Sequence, residues 1–554
     1  MNNVTLTLLS RDRLAETYAS GDWRDDTIYS LVRGRAMRSP EKTAVRDGRG
    51  ALTYFELLGQ AEALAKDMAE AGLRAGARVA VWASSRVETA VALLACSRNG
   101  YVCCPSLHRD HTVEDVLGLL RRMRASAFMG ETGYGADGAR RDIFEAIGSI
   151  ETIRREYRLD PLSRSLAGFG ADRASSAGTI KEDPNLVVYL AFTSGTTGAA
   201  KGVMHSENTL LANARSLSHD WRIDADSVIY TMSPLSHNLG LGSLVMALAV
   251  GGELVVHDLP RGASLLGRLI ETGATFLVGV PTHAIDLLSE MKARGVEAVG
   301  SVRGFRISGA AAPRETVAEL MRLGVTPQSG YGMTEAGSHH YTSLDDGADR
   351  ILGSVGRACA GYEVKIWSAE DRDVELPVGE IGEIGGRGAS LMLGYYDDQR
   401  ANEDAFNASG WFMTGDLGRL DREGYLQVTG RKKDIIVRGG RNIYPAHLEN
   451  LALQHEAIAR AAALPVPDPR LGEKVCLAVT LKPGMEIDPA DLLRRLAALG
   501  LSRYDMPEYW LKLEEIPLTA SGKILKLALA AHIREGRLRP DPIHLRPDSQ
   551  QTEA

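Results

Sequence analysis

A loop suited to holding phosphate groups occupies residues 193–202, where the sequence reads TSGTTGAAKG. Its glycines let the backbone approach a ligand closely, its hydroxyls donate hydrogen bonds, and Lys201 brings a positive charge. The preceding run LVVYLAF has the content of a buried strand. The loop is not a Walker A motif, because Lys201 lies between Ala200 and Gly202. A strand followed by this loop predicts a nucleotide-phosphate site, with a surface turn as the alternative.

Two further segments contain groups that a nucleotide could use. SGYGMTEAG, residues 329–337, places Tyr331 between two glycines, and such a ring can stack on a purine. Glu335 in the same segment offers the hard oxygen ligand that Mg²⁺ prefers. GWFMTGDLG, residues 410–418, places Asp416 at a tight turn, where a carboxylate can accept hydrogen bonds from ribose hydroxyls. Together with the phosphate loop, these groups are suited to binding a nucleotide and the metal ion that neutralises its phosphates.

The segments TGRKKDIIVRGGRNIYP (residues 429–445) and PLTASGKIL (residues 517–525) follow in the last quarter of the chain. Either alone would read as a solvated basic turn. In their order, from LTYFEL at Leu52 to SGKILK ending at Lys526, the segments resemble the adenylate-forming superfamily of acyl-CoA synthetases, aryl-acid adenylating enzymes and luciferases. The resemblance covers nearly the whole chain.

The resemblance implies ATP, Mg²⁺ and coenzyme A as the cofactors. It assigns Mg²⁺ to Glu335 and Thr197, and a hinge between two lid positions to Lys433. It assigns the nucleotide to residues of six segments, namely Thr193, Ser194, Gly195, Thr196, Thr197, Gly198, Lys201, Gly309, Ala310, Ala311, Gly330, Tyr331, Gly332, Met333, Thr334, Asp416, Val428, Arg431 and Lys523. Gly439 and Gly440 match the loop that lines the tunnel of the thiol.

The resemblance also assigns chemistry and a pocket for the acid. The catalytic residues are Lys523, Thr334, Glu335 and His237. The acid is assigned to His237, Asn238, Leu239, Gly242, Val278, Gly279, Ser308, Gly309, Gly332 and Met333. One departure concerns Asp505, which stands where many CoA ligases have a lysine.

The expected fold is α/β. Helical patterns alternate with short apolar strands through the first two thirds, which predicts parallel sheets covered by helices. Residues 350–430 predict short strands, and the remainder predicts a compact α+β piece. In the family, two α/β subdomains and a small β-barrel form the large N-terminal part, and a mobile C-terminal lid follows. We expect an AMP-binding domain at residues 1–432 and a lid domain at residues 433–554.

Composition limits the partners and the compartment. The chain has 554 residues and a net charge of -7, so it lacks the basic excess of a nucleic-acid binder. Five cysteines in so long a chain indicate reduced thiols and a cytoplasmic protein. The apolar window at residues 239–256 predicts a buried helix and strand, so no membrane insertion is expected. The expected partners are a small carboxylic acid and CoA, with a homodimer as one possible assembly.

The acid itself is predicted to be a compact monocarboxylate. The pocket segments SHNLGLG and FLVGVPT contain no Lys or Arg, so dicarboxylates should be rejected. Gly240, Gly242 and Gly279 are small and leave width for a ring. The sequence of these segments resembles that of ligases for alicyclic acids such as cyclohexanecarboxylate. An aryl-acid AMP ligase that loads a carrier-protein thiol is the alternative, since its family shares the His237–Asn238 pair. A nucleotide-binding regulatory protein would need neither Lys523 nor Glu335.

The assignment of Lys523 makes a prediction about the two half-reactions. Its ammonium should stabilise charge that develops only during adenylation, so Lys523→Ala should slow that step on the order of 10²–10³-fold. Supplied acyl-adenylate should still be converted to thioester at a near-normal rate. Pyrophosphate exchange measures the first step and thioester formation from the adenylate the second. Normal adenylation in the variant would contradict the assignment.

Overall fold

The computed structural model describes residues 5–164, 182–193, 200–260, 262–309, 312–518 and 524–543. The chain forms two compact units of unequal size. The first comprises the described residues of Met1–Val364, Gly386–Phe412 and Gly424–Leu426. The second comprises those of Lys365–Gly385, Met413–Glu423 and Gln427–Ala554. Both contain sheets and helices, which confirms the predicted α/β class with a large N-terminal and a small C-terminal part.

Helices occur in both units. In chain order they are α1 Arg11–Ala19, α2 Ile28–Arg38, α3 Tyr54–Glu70, α4 Val87–Asn99, α5 Val113–Met123, α6 Ile143–Ala146, α7 Glu207–Asp220, α8 Asn238–Val250, α9 Leu265–Thr272, α10 Pro281–Arg294, α11 Arg314–Arg322, α12 Ala348–Gly353, α13 Gln399–Ala405, α14 Pro445–Ala452, α15 Pro489–Ala498 and α16 Lys526–Arg534. Short 3₁₀ turns cover Ile147–Ser149 and Lys432–Asp434.

The strands belong to four sheets. In chain order they are β1 Thr43–Asp47, β2 Gly50–Thr53, β3 Arg78–Trp82, β4 Val102–Cys104, β5 Ala125–Glu131, β6 Arg155–Leu159, β7 Val187–Thr193, β8 Lys201–Ser206, β9 Val228–Thr231, β10 Glu253–Val256, β11 Phe276–Gly279, β12 Gly304–Ile307, β13 Thr326–Met333, β14 Gly337–Tyr341, β15 Arg357–Ala358, β16 Tyr362–Trp367, β17 Gly382–Gly388, β18 Phe412–Leu420, β19 Leu426–Arg431, β20 Ile436–Arg438, β21 Arg441–Ile443, β22 Ile458–Asp468, β23 Gly472–Leu481, β24 Tyr509–Lys512 and β25 Asp541–Pro542.

Two large sheets organise the first unit. One has the order β15-β14-β13-β12-β11-β9-β10-β1-β2, with parallel pairing from β13 through β12, β11, β9 and β10 to β1. The other has the order β6-β5-β3-β4-β7-β8, parallel except for the antiparallel pair β7–β8. Parallel neighbours require crossover connections, and the intervening helices supply them. The predicted parallel sheets are therefore confirmed.

The second unit contains most of a four-stranded sheet and a sheet of its own. The four-stranded sheet has the order β16-β17-β18-β19 and arises from the Gly-rich segment for which short strands were predicted. The C-terminal sheet has the order β21-β20-β23-β24-β25, with β22 paired to β23. The helices and strands of this region agree with the predicted α+β piece. The helices α14 and α15 begin at Pro445 and Pro489, where proline suits the first turn.

Local sequence explains why individual elements begin where they do. The helix α3 begins after Thr53, whose hydroxyl accepts a hydrogen bond from the Glu56 backbone N–H, while the Glu56 carboxylate accepts one from the Thr53 N–H. The helix α4 is buried almost throughout, as its apolar sequence predicts. The apolar window forms α8 and β10, as predicted. Among the described helices, none has both the length and the apolar character needed to cross a bilayer.

A buried carboxyl group joins three helices of the first unit. Glu207, the first residue of α7, accepts a hydrogen bond from the backbone N–H of Ile28 at 3.1 Å and interacts with the Ser97 hydroxyl. Burial raises the pKa of Glu207 to about 7, partly offset by these two hydrogen bonds. Because the folded pKa lies above the unfolded value, the stability from the neutral form is present below about pH 4.5 and is lost as pH rises through 7.

The variant Glu207→Gln tests this linkage. The amide keeps an acceptor for the Ile28 N–H but cannot ionise, so the variant should gain about 3 kcal/mol relative to the wild type between pH 5 and pH 8.5. Thermal melting across that pH range measures the effect. Glu16→Gln, at an exposed position of α1, is the matched control and should leave the pH dependence unchanged. Parallel melting profiles of Glu207→Gln and wild type would contradict the linkage.

Candidate active site

The phosphate-loop sequence connects the two strands of a hairpin. The strands β7 and β8 pair antiparallel with Thr193 opposite Lys201, and the Thr193 hydroxyl donates to the Lys201 carbonyl at 3.4 Å. The two ends of the loop are therefore held side by side. The residues between them that were assigned to the nucleotide, namely Ser194, Gly195, Thr196, Thr197 and Gly198, lie outside the described residues.

Lys201 and Glu335 meet at one tyrosine that sequence reasoning missed. The Lys201 ammonium lies 4.7 Å from the centroid of the Tyr395 ring. The Tyr395 hydroxyl donates to Glu335 Oε1 at 3.0 Å, and burial together with this carboxylate raises the pKa of the tyrosine. The sequence signal was the string LGYY, residues 393–396, in which a glycine precedes the tyrosine. In the structure this Gly394 has a φ of 109°. The structure thus brings together two residues assigned separately to phosphate and metal.

The YGMTE string forms the turn of a second hairpin, between β13 and β14. Gly332 is required there, since a Cβ at this position would lie 2.1 Å from the Gly337 carbonyl oxygen. Tyr331, the predicted partner of adenine, contacts His339 edge-on with ring centroids 5.1 Å apart. Gly330 and Met333 belong to the same hairpin. Tyr331 and Thr334, the residues assigned to adenine and to the α-phosphate, therefore belong to one tight hairpin.

His205 connects the two hairpins. Its Nε2 lies 2.7 Å from the carbonyl oxygen of Thr334, and its Nδ1 lies 3.0 Å from the Thr209 hydroxyl. Burial lowers the pKa of His205 to about 4, so the ring is neutral at physiological pH. A carbonyl can only accept, so Nε2 must carry the proton. The end of β8 is thereby fixed to the residue assigned to the α-phosphate.

The residues that the resemblance assigns to Mg²⁺ fit that ion where they are described. Glu335 supplies a half-buried carboxylate, and Mg²⁺ is commonly held by one or two carboxylates together with substrate phosphates. The described residues contain no cluster of three or more His, Cys, Asp or Glu side chains that could form an all-protein site. Glu335 therefore suits an ion that is shared between the protein and the triphosphate. A Mg²⁺ ion in that position would neutralise part of the phosphate charge.

The comparisons with known proteins agree with this nucleotide-binding geometry. The AMP-binding enzyme family matches residues 32–396, and the AMP-binding enzyme C-terminal domain matches residues 447–523. The chain belongs to the AMP-binding enzyme family. Medium-chain fatty-acid–CoA ligase of Escherichia coli (strain K12) is 31% identical over 96% of this chain and 94% of its own length. Sulfoacetate–CoA ligase of Cupriavidus necator is 31% identical over 92% and 98%.

Solved structures support the same conclusion. The crystal structure of ATP-bound MatB from Rhodopseudomonas palustris superposes with a TM-score of 0.81 at 27% identity, covering 92% of this chain and 99% of that one. The protein is an acyl-CoA synthetase, an ATP-dependent, AMP-forming acid–thiol ligase that uses ATP, Mg²⁺ and CoA. The family hypothesis drawn from the motifs is thus confirmed, while the roles of individual residues stay predictions.

A cavity of about 40 Å³ lies beside the YGMTE hairpin. It is lined in part by Asn238, Leu239, Gly242 and Val278, all of which the sequence assigned to the acid. Of the three glycines expected to give width, only Gly242 faces open space. A Cβ at Gly240 would lie 2.2 Å from the Pro234 carbonyl oxygen, and one at Gly279 would lie 2.8 Å from His283 Nδ1.

One expectation about this cavity is wrong. The two pocket segments contain no cation, but the buried side chain of Arg306 on β12 lines the cavity as well. The error arose because strands next to each other in a sheet contribute to one cavity although they are distant in sequence. The argument that dicarboxylates must be rejected therefore loses its basis.

The other residues assigned to the acid lie around the same segments. His237 is the N-cap of α8, where its Nδ1 accepts from the Leu239 N–H at 3.3 Å. Its ring lies 6.4 Å from that of His108, which the sequence did not connect with the site. Ser308 donates its backbone N–H to the Gly279 carbonyl at 3.0 Å, and Gly309 follows with a φ of 92°. Ala310 and Ala311 lie outside the described residues.

The second unit holds the remaining candidates. Arg431 forms an ion pair with the buried carboxylate of Asp416 at 3.0 Å, so the two residues assigned to the ribose are neighbours. Val428 lies on β19, the same strand as Arg431. Gly439 and Gly440 have φ values of 58° and 83° and form the turn between β20 and β21.

The predicted hinge residue is described by the structure, and the predicted adenylation lysine is not. Lys433 lies in the 3₁₀ turn Lys432–Asp434, while Lys523 lies outside the described residues. Asp505, the departure from the lysine of many CoA ligases, forms an ion pair with Arg441 at 2.9 Å. A cation is therefore present at this place, but on the neighbouring strand β21.

The variant Tyr395→Phe tests the link between Lys201 and Glu335. It keeps the ring beneath the ammonium and removes the hydroxyl that donates to Glu335, a charge-assisted bond. We expect adenylation at limiting Mg²⁺ to fall by roughly 10–100-fold. Titration of pyrophosphate exchange with Mg²⁺ measures this. Tyr396→Phe is the matched control, since that ring packs in an apolar cluster instead. An unchanged Mg²⁺ dependence in Tyr395→Phe would refute the link.

Proposed function

We propose that this acyl-CoA synthetase activates a compact carboxylic acid, with a ring acid first, and transfers it to CoA. The observation that supports the proposal is the small cavity lined by Asn238, Leu239 and Val278 next to the YGMTE hairpin. A volume of about 40 Å³ favours a short or compact acyl group over a long alkyl chain. The acids named for the relatives range from medium-chain fatty acids to sulfoacetate, so family membership leaves the acid open.

The residues divide the reaction between them. Lys201 and the phosphate loop hold the triphosphate, Thr334 contacts the α-phosphate, and Glu335 orients the ion that neutralises it. In the first step a carboxylate oxygen attacks the α-phosphorus and pyrophosphate leaves. In the second step the CoA thiolate attacks the acyl carbon and AMP leaves. Lys523 serves the first step and the Gly439–Gly440 loop serves the second, with residues 433–554 as the lid domain.

A second candidate function is an aryl-acid AMP ligase that delivers its product to a carrier-protein thiol. The observation that favours it is Asn238, whose amide belongs to the cavity wall and could bind a ring hydroxyl. Its Nδ2 donates to the Met333 carbonyl at 3.5 Å, which is long for a hydrogen bond. Desolvating this amide against a bare ring would forfeit a hydrogen bond, which would favour hydroxylated aryl acids.

A carboxylate panel distinguishes the candidates. AMP release is measured with cyclohexanecarboxylate, benzoate, 2-hydroxybenzoate and a C16 acid, each with and without CoA. Thioester formation from a ring acid that depends on CoA supports the proposal. A preference for the C16 acid would overturn the compact-acid assignment. A preference for 2-hydroxybenzoate that is unaffected by CoA would support the second candidate.

The variant Gly242→Leu tests whether the acid occupies the cavity. A Cβ at Gly242 meets nothing within 4 Å, so the larger side chain should enter the cavity without disrupting the helix. We expect kcat/KM for ring acids to fall by on the order of 10²-fold or more, and that for acetate to fall much less. Gly118→Leu, at an exposed position of α5 that also meets nothing within 4 Å, is the matched control. Equal losses for all acids would contradict the assignment.

A further inference from the structure

A buried arginine in the cavity wall has no acidic partner among the residues that the structure describes. Arg306 lies on β12, a central strand of the nine-stranded sheet, and is 1% exposed. A guanidinium in such a position normally pairs with a carboxylate, because an unpaired buried charge is costly. Within the described ranges, no Asp or Glu side chain lies within ion-pair distance of Arg306. Burial lowers its pKa to about 10, so the group remains cationic at neutral pH.

The hydrogen bonds of Arg306 are also incomplete. Its Nη1 donates to Gln328 Oε1 at 3.0 Å, but its Nε has no partner among the described residues. Gln328 is itself fully buried, and its Nε2 lacks a partner in the same part of the chain. Because Arg306 lines the cavity, an acceptor that enters it would meet a guanidinium whose Nε the described residues leave unpaired. Buried unpaired donors of this kind are uncommon in folded proteins and call for an explanation.

Several other polar groups of the cavity wall are already bonded within the protein. Asn213 makes two hydrogen bonds with the backbone of Ser338, of 2.9 and 3.0 Å. The Ser243 hydroxyl donates to the Leu239 carbonyl, and the Ser390 hydroxyl donates to the Ala336 carbonyl. His205 is neutral and is bonded to Thr334. Arg306 is therefore the cationic group in the wall that has donors to offer.

We propose that Arg306 binds a second anionic group of the acid substrate, a carboxylate or a sulfonate, in addition to the carboxylate that becomes the thioester. The proposal rests on the proposed function, because it assumes that the acid occupies this cavity. The second anion supplies the counter-charge that the described part of the chain does not provide, and its oxygens accept from the guanidinium in charge-assisted bonds. A substrate without that anion leaves the guanidinium buried and unpaired, so the cavity selects against it.

A structural role for Arg306 is the competing explanation. A Cβ at Gly330 would lie 3.1 Å from Nη2 of Arg306, so the side chain also packs against the hairpin that carries Tyr331. A packing role alone would lower the activity toward every acid by the same factor. Binding of a second anion would instead change the ratio between acids with and without that anion.

Matched pairs of acids separate these explanations in the wild-type enzyme. The pairs are benzoate with benzene-1,3-dicarboxylate, cyclohexanecarboxylate with cyclohexane-1,3-dicarboxylate, and propanoate with butanedioate or 3-sulfopropanoate. We expect kcat/KM for CoA-dependent AMP release to favour the dianion in at least one pair by on the order of 10²-fold. Equal or better use of the monoanion in every pair would overturn the inference while leaving the ligase function intact. Failure of every acid to be activated would overturn the proposed function itself.

Substitution of Arg306 links the preference to that side chain. Arg306→Met should bring the ratio within a pair close to one, mainly through KM of the dianion. Arg306→Lys keeps the charge but loses the planar fork, so it should keep part of the preference. Arg303→Met, on the exposed surface just before β12, is the matched control and should keep the wild-type ratio. An unchanged ratio in Arg306→Met, with thermal melting and ATP binding confirming a folded protein, would overturn the inference.

Discussion

The hydrogen bond between His205 and Thr334 is the constraint on which the nucleotide side of the site depends. The phosphate loop closes the hairpin β7–β8, and the YGMTE string closes the hairpin β13–β14 of a different sheet. Nothing in either hairpin alone fixes the distance between them. The imidazole does so at 2.7 Å, and because burial keeps it neutral, the direction of the bond does not change across physiological pH. Tyr395 adds a second link through Glu335 and Lys201.

The motifs could be predicted because each depends on residues that are consecutive in the sequence. A glycine-rich loop after a strand, or a turn in which a Cβ at Gly332 would collide with Gly337, needs particular residues at consecutive positions. The alternation of helices and short strands, and the buried helix and strand that became α8 and β10, were predicted for the same reason. His205 and Tyr395 were missed, since their importance comes from contacts that only the sheet arrangement creates. His205 lies 129 residues from Thr334 in sequence, and Tyr395 lies 60 residues from Glu335.

The cavity shows where composition alone misleads. Gly240, Gly242 and Gly279 are equally small, yet two of them permit close approach of neighbouring groups and only Gly242 faces open space. Likewise, the absence of cations within SHNLGLG and FLVGVPT gave no indication of Arg306, which lies in the segment SVRGFRIS that contains β12. Its signal was present, because a charged residue within an otherwise apolar central strand is rare. Whether such a residue faces a cavity depends on the neighbouring strands, and these are not adjacent in sequence.

Burial acts on several titratable groups around the cavity, and it leaves one of them charged. It lowers the pKa of His205 to about 4 and that of His340 to about 3, so both rings are neutral. The pKa of His339 is also lowered, by burial first and then by its neighbours His340 and Arg306. Arg306, with a pKa of about 10, cannot lose its proton near pH 7. Among these groups, the positive charge therefore lies on the Arg306 guanidinium. No nearby imidazolium competes with it for an anion that enters the cavity.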